Sequence, residues 1–189
     1  DSPSKGLAKA KHQELLISHL DEVLGKPKHS LDLVSPYFVP TKTGTHELIQ
    51  LANSGIDITI LTNSLAATDV APVHSGYAKY RKPLLRAGIN LYELKPTVNK
   101  PVIFKDRGLT GSSGSSLHAK TIAVDNETLF IGSFNMDPRS ANLNTENGVV
   151  MVSSANTPIV LAVVFAPRIF FAERSETYPS ASTASITFL

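Results

Sequence analysis

Apolar positions along this chain change period several times, and the changes predict the element order. Leu15, Leu16, Leu20, Val23 and Leu24 share one helical face, with Gly25 and Pro27 as stop signals, which predicts a helix over residues 8–24. Residues 31–39 read as a strand broken by Pro36 and stopped by Pro40. Thr45 is a candidate cap for a helix over 45–53, closed by Gly55. Residues 56–62 alternate as a strand. A second helix follows over 73–87, ended by Gly88 and expected to kink or divide at Pro83, with Asp69 or Ser75 as its cap. A short strand over 89–94 completes a strand–helix–strand–helix–strand run, the order of an α/β domain with a largely parallel sheet.

Beyond residue 96 the pattern changes. Residues 97–116 are polar and rich in Gly and Ser, a long loop of the kind compact domains keep for function or leave disordered. Residues 117–124 and 128–133 read as strands joined at Asp125-Asn126-Glu127 into a hairpin, and 145–153 as a further strand. Residues 158–171 are strongly apolar but are interrupted by Pro167 and Arg168. They read as a buried helix followed by a strand, or alternatively as a segment lying on a bilayer surface, because a span needs ~18 apolar residues. The division expected is an N-terminal helical segment over 1–29, a single catalytic domain over 30–174 and a Ser/Thr-rich disordered tail over 175–189.

Composition narrows the chemistry. With 189 residues, 42% hydrophobic and 18% charged, the chain is long enough for one sizeable core. Its formal net charge of +2 suits an anionic substrate but is too small to indicate a nucleic-acid binder. The absence of cysteine excludes disulfides, zinc–cysteine sites and thiol catalysis. The six histidines are scattered without metal-ligand spacing, so no metal or other cofactor is expected. The start at Asp1 rather than Met suggests a fragment or a processed product.

One constellation carries chemistry: His118-x-Lys120, Asp125, Gly132-Ser133-x-Asn135 and Glu146. On a strand, His118 and Lys120 would project from one face. An imidazole can attack phosphorus or move a proton near neutral pH, and a neighbouring ammonium can neutralise phosphoryl oxygens. Ser133 and Asn135 can donate to those oxygens, and Glu146 can hold the imidazole in one tautomer. Taken singly, a strand histidine is more often structural, Lys120 a solvated residue and Asp125 a turn former. Their joint spacing is what argues for a site.

These residues carry a family resemblance. His118, Lys120 and Asp125 match the HKD motif of the phospholipase D superfamily. Gly132-Ser133-x-Asn135 resembles its second signature, and Glu146 stands where members place the acid that orients the histidine. Residues 35–40, 61–70, 73–77, 92–96 and 134–140 look like the bacterial cardiolipin-synthase branch, over roughly residues 30–153. The resemblance implies a phospholipase D-type α/β/α sandwich with a mostly parallel mixed sheet. It also implies transphosphatidylation or hydrolysis through a phosphohistidine, with an anionic phospholipid or other phosphodiester as substrate and no metal.

In those terms His118 is nucleophile or general acid, Lys120 and Asn135 bind phosphate, Ser133 is an accessory donor and Glu146 partners His118. Asp125 is expected to support the turn and the geometry of the motif. Synthases of the branch carry two HKD motifs, and this chain shows one. The expected partner is therefore a second HKD half, either a missing N-terminal half or a homodimer partner. The location implied is peripheral, at the cytoplasmic face of a membrane. Two rival readings are a homodimeric endonuclease acting on nucleic acid and a non-catalytic phosphate-binding half-domain. His74 is a further candidate for lining the substrate site, and Tyr37 and Phe38 for walling its cleft. Lys79, Arg81, Lys82 and Arg86 read as a solvated basic helix face or one drawn to anionic lipid, and Lys100, Lys105 and Arg107 as loop cations able to steer an anion.

Overall fold

The computed structural model describes residues 1–7, 10–11, 14–95, 116–153 and 172–174. The elements run β1 (Ser30–Val34), α2 (Thr41–Asn53), β2 (Asp57–Asn63), α3 (Ala71–Arg86) and β3 (Asn90–Leu94), preceded by a 3₁₀ turn (Pro3–Leu7) and α1 (Leu16–Leu24). Then come β4 (Thr121–Val124), β5 (Thr128–Gly132), α4 (Pro138–Asn142), β6 (Gly148–Val152) and β7 (Ala172–Arg174). The expectations for 97–115, 158–171 and the tail, with Lys100, Lys105 and Arg107, lie outside the described residues.

The strands form one seven-stranded mixed sheet in the order β6-β5-β4-β1-β2-β3-β7. β1, β2 and β3 are parallel neighbours, as the alternation of strands and helices requires. The hairpin half attaches antiparallel through β4 to β1, and β7 pairs antiparallel with β3. The α/β architecture read from the sequence is present. The parallel character belongs to the first half of the chain, because a two-residue turn can only return a strand antiparallel.

Register places one apolar row across the sheet: Val150, Phe130, Ile122, Leu33, Ile60 and Leu91 occupy successive paired positions on six strands. Leu20 of α1, Leu48 of α2 and Tyr77 and Leu84 of α3 join this row in a single core. Each such side chain contributes about 1.5–3 kcal/mol on burial. α1 thus packs against this core through Leu20. It begins at Leu16, half the length its periodicity suggested. α2 begins four residues before the expected Thr45, directly after Pro40. Thr45 is not the cap; its hydroxyl donates back to the Thr41 carbonyl. α3 runs through Pro83, starts with a proline in its first turn and has no side-chain cap. Asp69 and Ser75 bond elsewhere, to Tyr37 and to the Ala71 carbonyl. Among the described residues no helix is long and apolar enough to cross a membrane.

The hairpin turn is the expected one. Asp125 and Asn126 both take positive φ, 54° and 56°, and Glu127 N–H closes on Val124 at 3.0 Å, a type I′ turn. The Asp125 carboxylate reaches across to the chain entering β1 and accepts N–H groups of Lys28, His29 and Ser30 at 2.7–3.1 Å. Burial alone would raise its pKa, but these donors hold it below the ordinary carboxylate value. At the other end of the hairpin, Gly132 pairs with Gly148. A Cβ at either position would overlap the Phe130 ring, and at Gly132 also the Asn147 carbonyl, so the glycines make room for a core aromatic.

Two predictions follow from this packing. Gly132→Ala should destabilise the fold by about 2–3 kcal/mol, read as a lowered Tm; an unchanged Tm would show that Phe130 moves freely. Asp125→Ala should cost about 1–2 kcal/mol, as loss of a comparable cap does. Because the folded pKa of Asp125 is depressed, that difference should be complete above about pH 4.5 and shrink as pH falls below about 4. A difference that grows with acidification in denaturant titrations would contradict this role.

Candidate functional site

The C-terminal ends of β1 and β2, the entry to β4, the exit of β5 and the entry to β6 lie at one edge of the sheet, because Val34 pairs with Thr121, Thr121 with Ile131 and Gly132 with Gly148. Open α/β sheets place their sites at such a carboxyl edge. His118, Lys120, Ser133, Asn135 and Glu146 all come from segments that meet here. Asp125 does not. It lies at the far end of β4, tied to backbone, and stands apart from the other motif residues.

β4 is shorter than its sequence pattern. The predicted strand over 117–124 is regular only from Thr121, so His118 and Lys120 lie in the segment leading into it. β1 stops at Val34, and the next residue on the side facing β4, Pro36, has no N–H with which to extend the ladder, while Ser35 N–H faces β2 and bonds the Leu61 carbonyl. The two motif side chains consequently differ in setting rather than sharing a strand face. His118 is exposed, whereas Lys120 is 9% exposed and turns its ammonium onto the His118 carbonyl at 2.9 Å.

Burial pushes the Lys120 pKa down, and the carboxylates of Glu146 and Asp69 pull it back up. Glu146, 5% exposed, accepts a short hydrogen bond from the Ser133 hydroxyl, and the two segments are fixed together by Ser133 N–H donating to the Asn147 carbonyl and Asn147 N–H donating to the Ser133 hydroxyl. Asn135 is buried, and its Oδ1, which can only accept, has no hydrogen-bond partner. Across the edge, Tyr37 donates to both Asp69 oxygens at 2.8 Å. Burial and the Asp69 charge push its pKa up to about 12, so it stays a neutral donor. A partly buried lysine whose charge two carboxylates favour, beside an accessible imidazole, is an arrangement that can receive a phosphoryl group. Among the described residues no group of three or more His, Cys, Asp or Glu side chains could hold a metal.

The remaining candidates sort differently. His74 is buried under α3, edge-on to Tyr77 with ring centroids 5.5 Å apart, and accepts from Arg81 Nη2 at 3.1 Å. Burial lowers its pKa, consistent with a neutral ring. It lines a pocket with Pro36, Phe38, Thr62, Asn63 and Tyr77, beside the C-terminal ends of β1 and β2. Arg81 is not part of a solvated basic face, because it pairs with Glu93 at 2.6 Å and lies over the Tyr77 ring.

Two residues were missed altogether. Lys5, 1% exposed, binds Asp1 at 2.6 Å and the Ser140 carbonyl at 2.7 Å, while Asp1 accepts the Glu146 N–H at 2.8 Å. This buried pair clamps both ends of the segment that carries Glu146. Burial pushes the Lys5 pKa down, against the attraction of Glu146. No local pattern announces such a contact, since its partners lie 135 and 145 residues apart. The short helix α4 was missed too, although Asp137 followed by Pro138 is a helix-start signal; Asp137 caps Arg139 and Ser140 N–H groups.

Comparison with known proteins agrees with this geometry. The family described as "Cardiolipin synthase, PLD-like domain" matches residues 20–162. Cardiolipin synthase C of Escherichia coli is 52% identical over 160 residues, covering 85% of this chain and 34% of that protein. The cardiolipin synthase of Halalkalibacterium halodurans is 34% identical over 139 residues, 73% of this chain and 24% of that one. This chain thus spans about a third or less of these relatives. Two crystal structures share its fold. Nuc, a phospholipase D family member from Salmonella typhimurium, aligns with a TM-score of 0.53 and 22% identity, over 79% of this chain and 80% of that one. Phosphatidylserine synthase of Haemophilus influenzae aligns with a TM-score of 0.57 and 17% identity, over 79% and 34%. Sequence match, fold and the clustering of motif residues at one sheet edge agree: the chain belongs to the phospholipase D-like domain family of the cardiolipin synthases.

Proposed function

We propose that this chain supplies one half of a two-histidine site that transfers or hydrolyses phosphodiesters of phospholipids, as in cardiolipin synthesis. The observation that carries the reading is the meeting of His118, Lys120, Ser133, Asn135 and Glu146 at one sheet edge, from segments separated in sequence. The names of the relatives, cardiolipin synthases, support the substrate class.

In this reading one histidine attacks phosphorus and a P–N bond forms as the P–O bond to the departing alcohol breaks. The histidine of a second HKD half gives that alcohol its proton. Water or a second alcohol then attacks phosphorus, giving its proton back to the second histidine, and the P–N bond breaks. His118 fills either role; its exposure leaves the ring accessible. Lys120 and Asn135 neutralise and bind the phosphoryl oxygens, strongest where charge accumulates in the transition state. Glu146, its carboxylate steadied by the Ser133 hydroxyl, orients the imidazole and stabilises its charged form. Asp125 acts only through the turn it holds. The second half is a separate segment of a longer protein or a second copy of this chain. We place the assembly peripherally at the cytoplasmic face of a membrane, where the exposed Lys79, Lys82 and Arg86 of α3 would meet anionic headgroups.

His118→Ala in the full-length protein should lower kcat on a phosphatidylglycerol substrate by about 10⁴-fold or more while leaving Tm unchanged. Near-normal turnover would sink the reading, and DNA hydrolysis in place of lipid turnover would move it to a nuclease. Lys120 must be protonated to serve, and burial lowers its pKa, so activity should fall on the alkaline side earlier than for an exposed lysine. Lys120→Arg, which stays charged, should retain measurable activity and move that alkaline limb to higher pH; a limb that stays in place would assign it to another group.

A further inference from the structure

We infer that Asn63 is a positioning residue for His118, an inference that rests on the reading of His118 as the reacting group. Asn63 ends β2, the strand between β1 and β3 in the sheet, and is 2% exposed. Its carboxamide brackets the backbone of Leu117. Oδ1 accepts the Leu117 N–H at 2.9 Å, and Nδ2 donates to the Leu117 carbonyl and to the Ser116 hydroxyl, both at 3.3 Å.

The bracket matters because the sheet cannot do this work. The ladder between β1 and β4 ends at the pair Val34–Thr121, and the next β1 residue on that side, Pro36, has no N–H to offer. Leu117 therefore takes from a side chain the donor and acceptor that a neighbouring strand would have supplied. A carboxamide can substitute because it offers both functions in the spacing of a peptide group. Aspartate lacks the donor, leucine has neither, and glutamine is one methylene too long.

The consequence falls on one atom pair. The Leu117 carbonyl belongs to the peptide unit that enters His118, and the His118 carbonyl, in the next unit, accepts from Lys120 at 2.9 Å. Both peptide planes flanking the His118 Cα are thus held, so the Cα–Cβ direction of the imidazole is set while the ring stays accessible. Asn63 fixes one plane and Lys120 the other. Asn63 does not touch substrate; it acts through the aim of His118, where a misplacement of about 1 Å costs on the order of 10²-fold in rate.

The test uses the full-length protein with phosphatidylglycerol vesicles as substrate and His118→Ala as the control. Asn63→Ala should lower kcat by about 10²-fold with KM changed less than about threefold. A folded Asn63→Ala protein with kcat within threefold of the parent overturns the inference. Asn63→Asp keeps size and the acceptor, and covers the case in which the alanine variant fails to fold. Its carboxylate opposes the Leu117 carbonyl at neutral pH, but on protonation regains a donor, so its kcat relative to the parent should rise as pH falls from 7.5 towards 5. A ratio that is flat or falls on acidification overturns the proposal, since an added negative charge acting only by raising the pKa of His118 would make it fall. If His118→Ala itself retains activity, the functional reading fails; if only the Asn63 variants do, the positioning role fails alone.

Discussion

The pairing of β1 with β4 joins a parallel half-sheet to an antiparallel one, and the site depends on where that pairing stops. Four residue pairs hold the strands together, from Leu31–Val124 to Val34–Thr121. At one end the turn Asp125-Asn126 closes the hairpin and anchors to the chain entering β1; at the other, Pro36, which has no N–H, ends the ladder. Had the ladder continued, His118 and Lys120 would alternate on a regular strand facing the same way. Released from it, Lys120 is buried with its ammonium on the His118 carbonyl, and His118 is exposed. The difference between a structural strand and a reactive edge is thus made by a partner strand that ends early.

The cost of that release is backbone without a ladder, and the protein meets it with side chains. Asn63 brackets Leu117, Lys120 holds the His118 carbonyl, Ser133 and Asn147 lock the exit of β5 to the entry of β6, and Asp1 with Lys5 clamps the Glu146 segment. Buried ions are expensive unless fully paired, which is why Lys5 is met by both a carboxylate and a carbonyl. The site is therefore a ring of polar tethers on a rigid sheet edge, with the apolar row from Val150 to Leu91 as its foundation.

What could be read from the sequence follows from how local each signal is. The alternation over 56–62 gave β2 within a residue, and Asp125-Asn126-Glu127 announced a hairpin because Asp and Asn tolerate the positive φ that its turn needs. The HKD spacing singled out His118, Lys120 and Asp125 together, and the structure sets Asp125 apart at the far end of β4. The alternation of 117–120, by contrast, looked like strand, and nothing within that segment shows that its partner stops at Pro36. Thr45 looked like a cap because caps are local, yet Pro40 and Thr41 start the helix sooner. Arg81 read as solvated because the helix face alone does not show Glu93 on a neighbouring strand. Asn63, Lys5 and Asp1 were illegible for the same reason, since each acts on a partner more than fifty residues away.

The most direct test of the central claim is a crystal structure of the full-length protein with inorganic vanadate, a mimic of the pentavalent phosphoryl group. The account predicts vanadium bonded to, or in line with, a ring nitrogen of His118, with Lys120 Nζ and the Asn135 carboxamide on its oxygens and Asp125 still on the backbone of residues 28–30. Vanadate bound away from His118, or bound with neither Lys120 Nζ nor the Asn135 carboxamide on its oxygens, would contradict it.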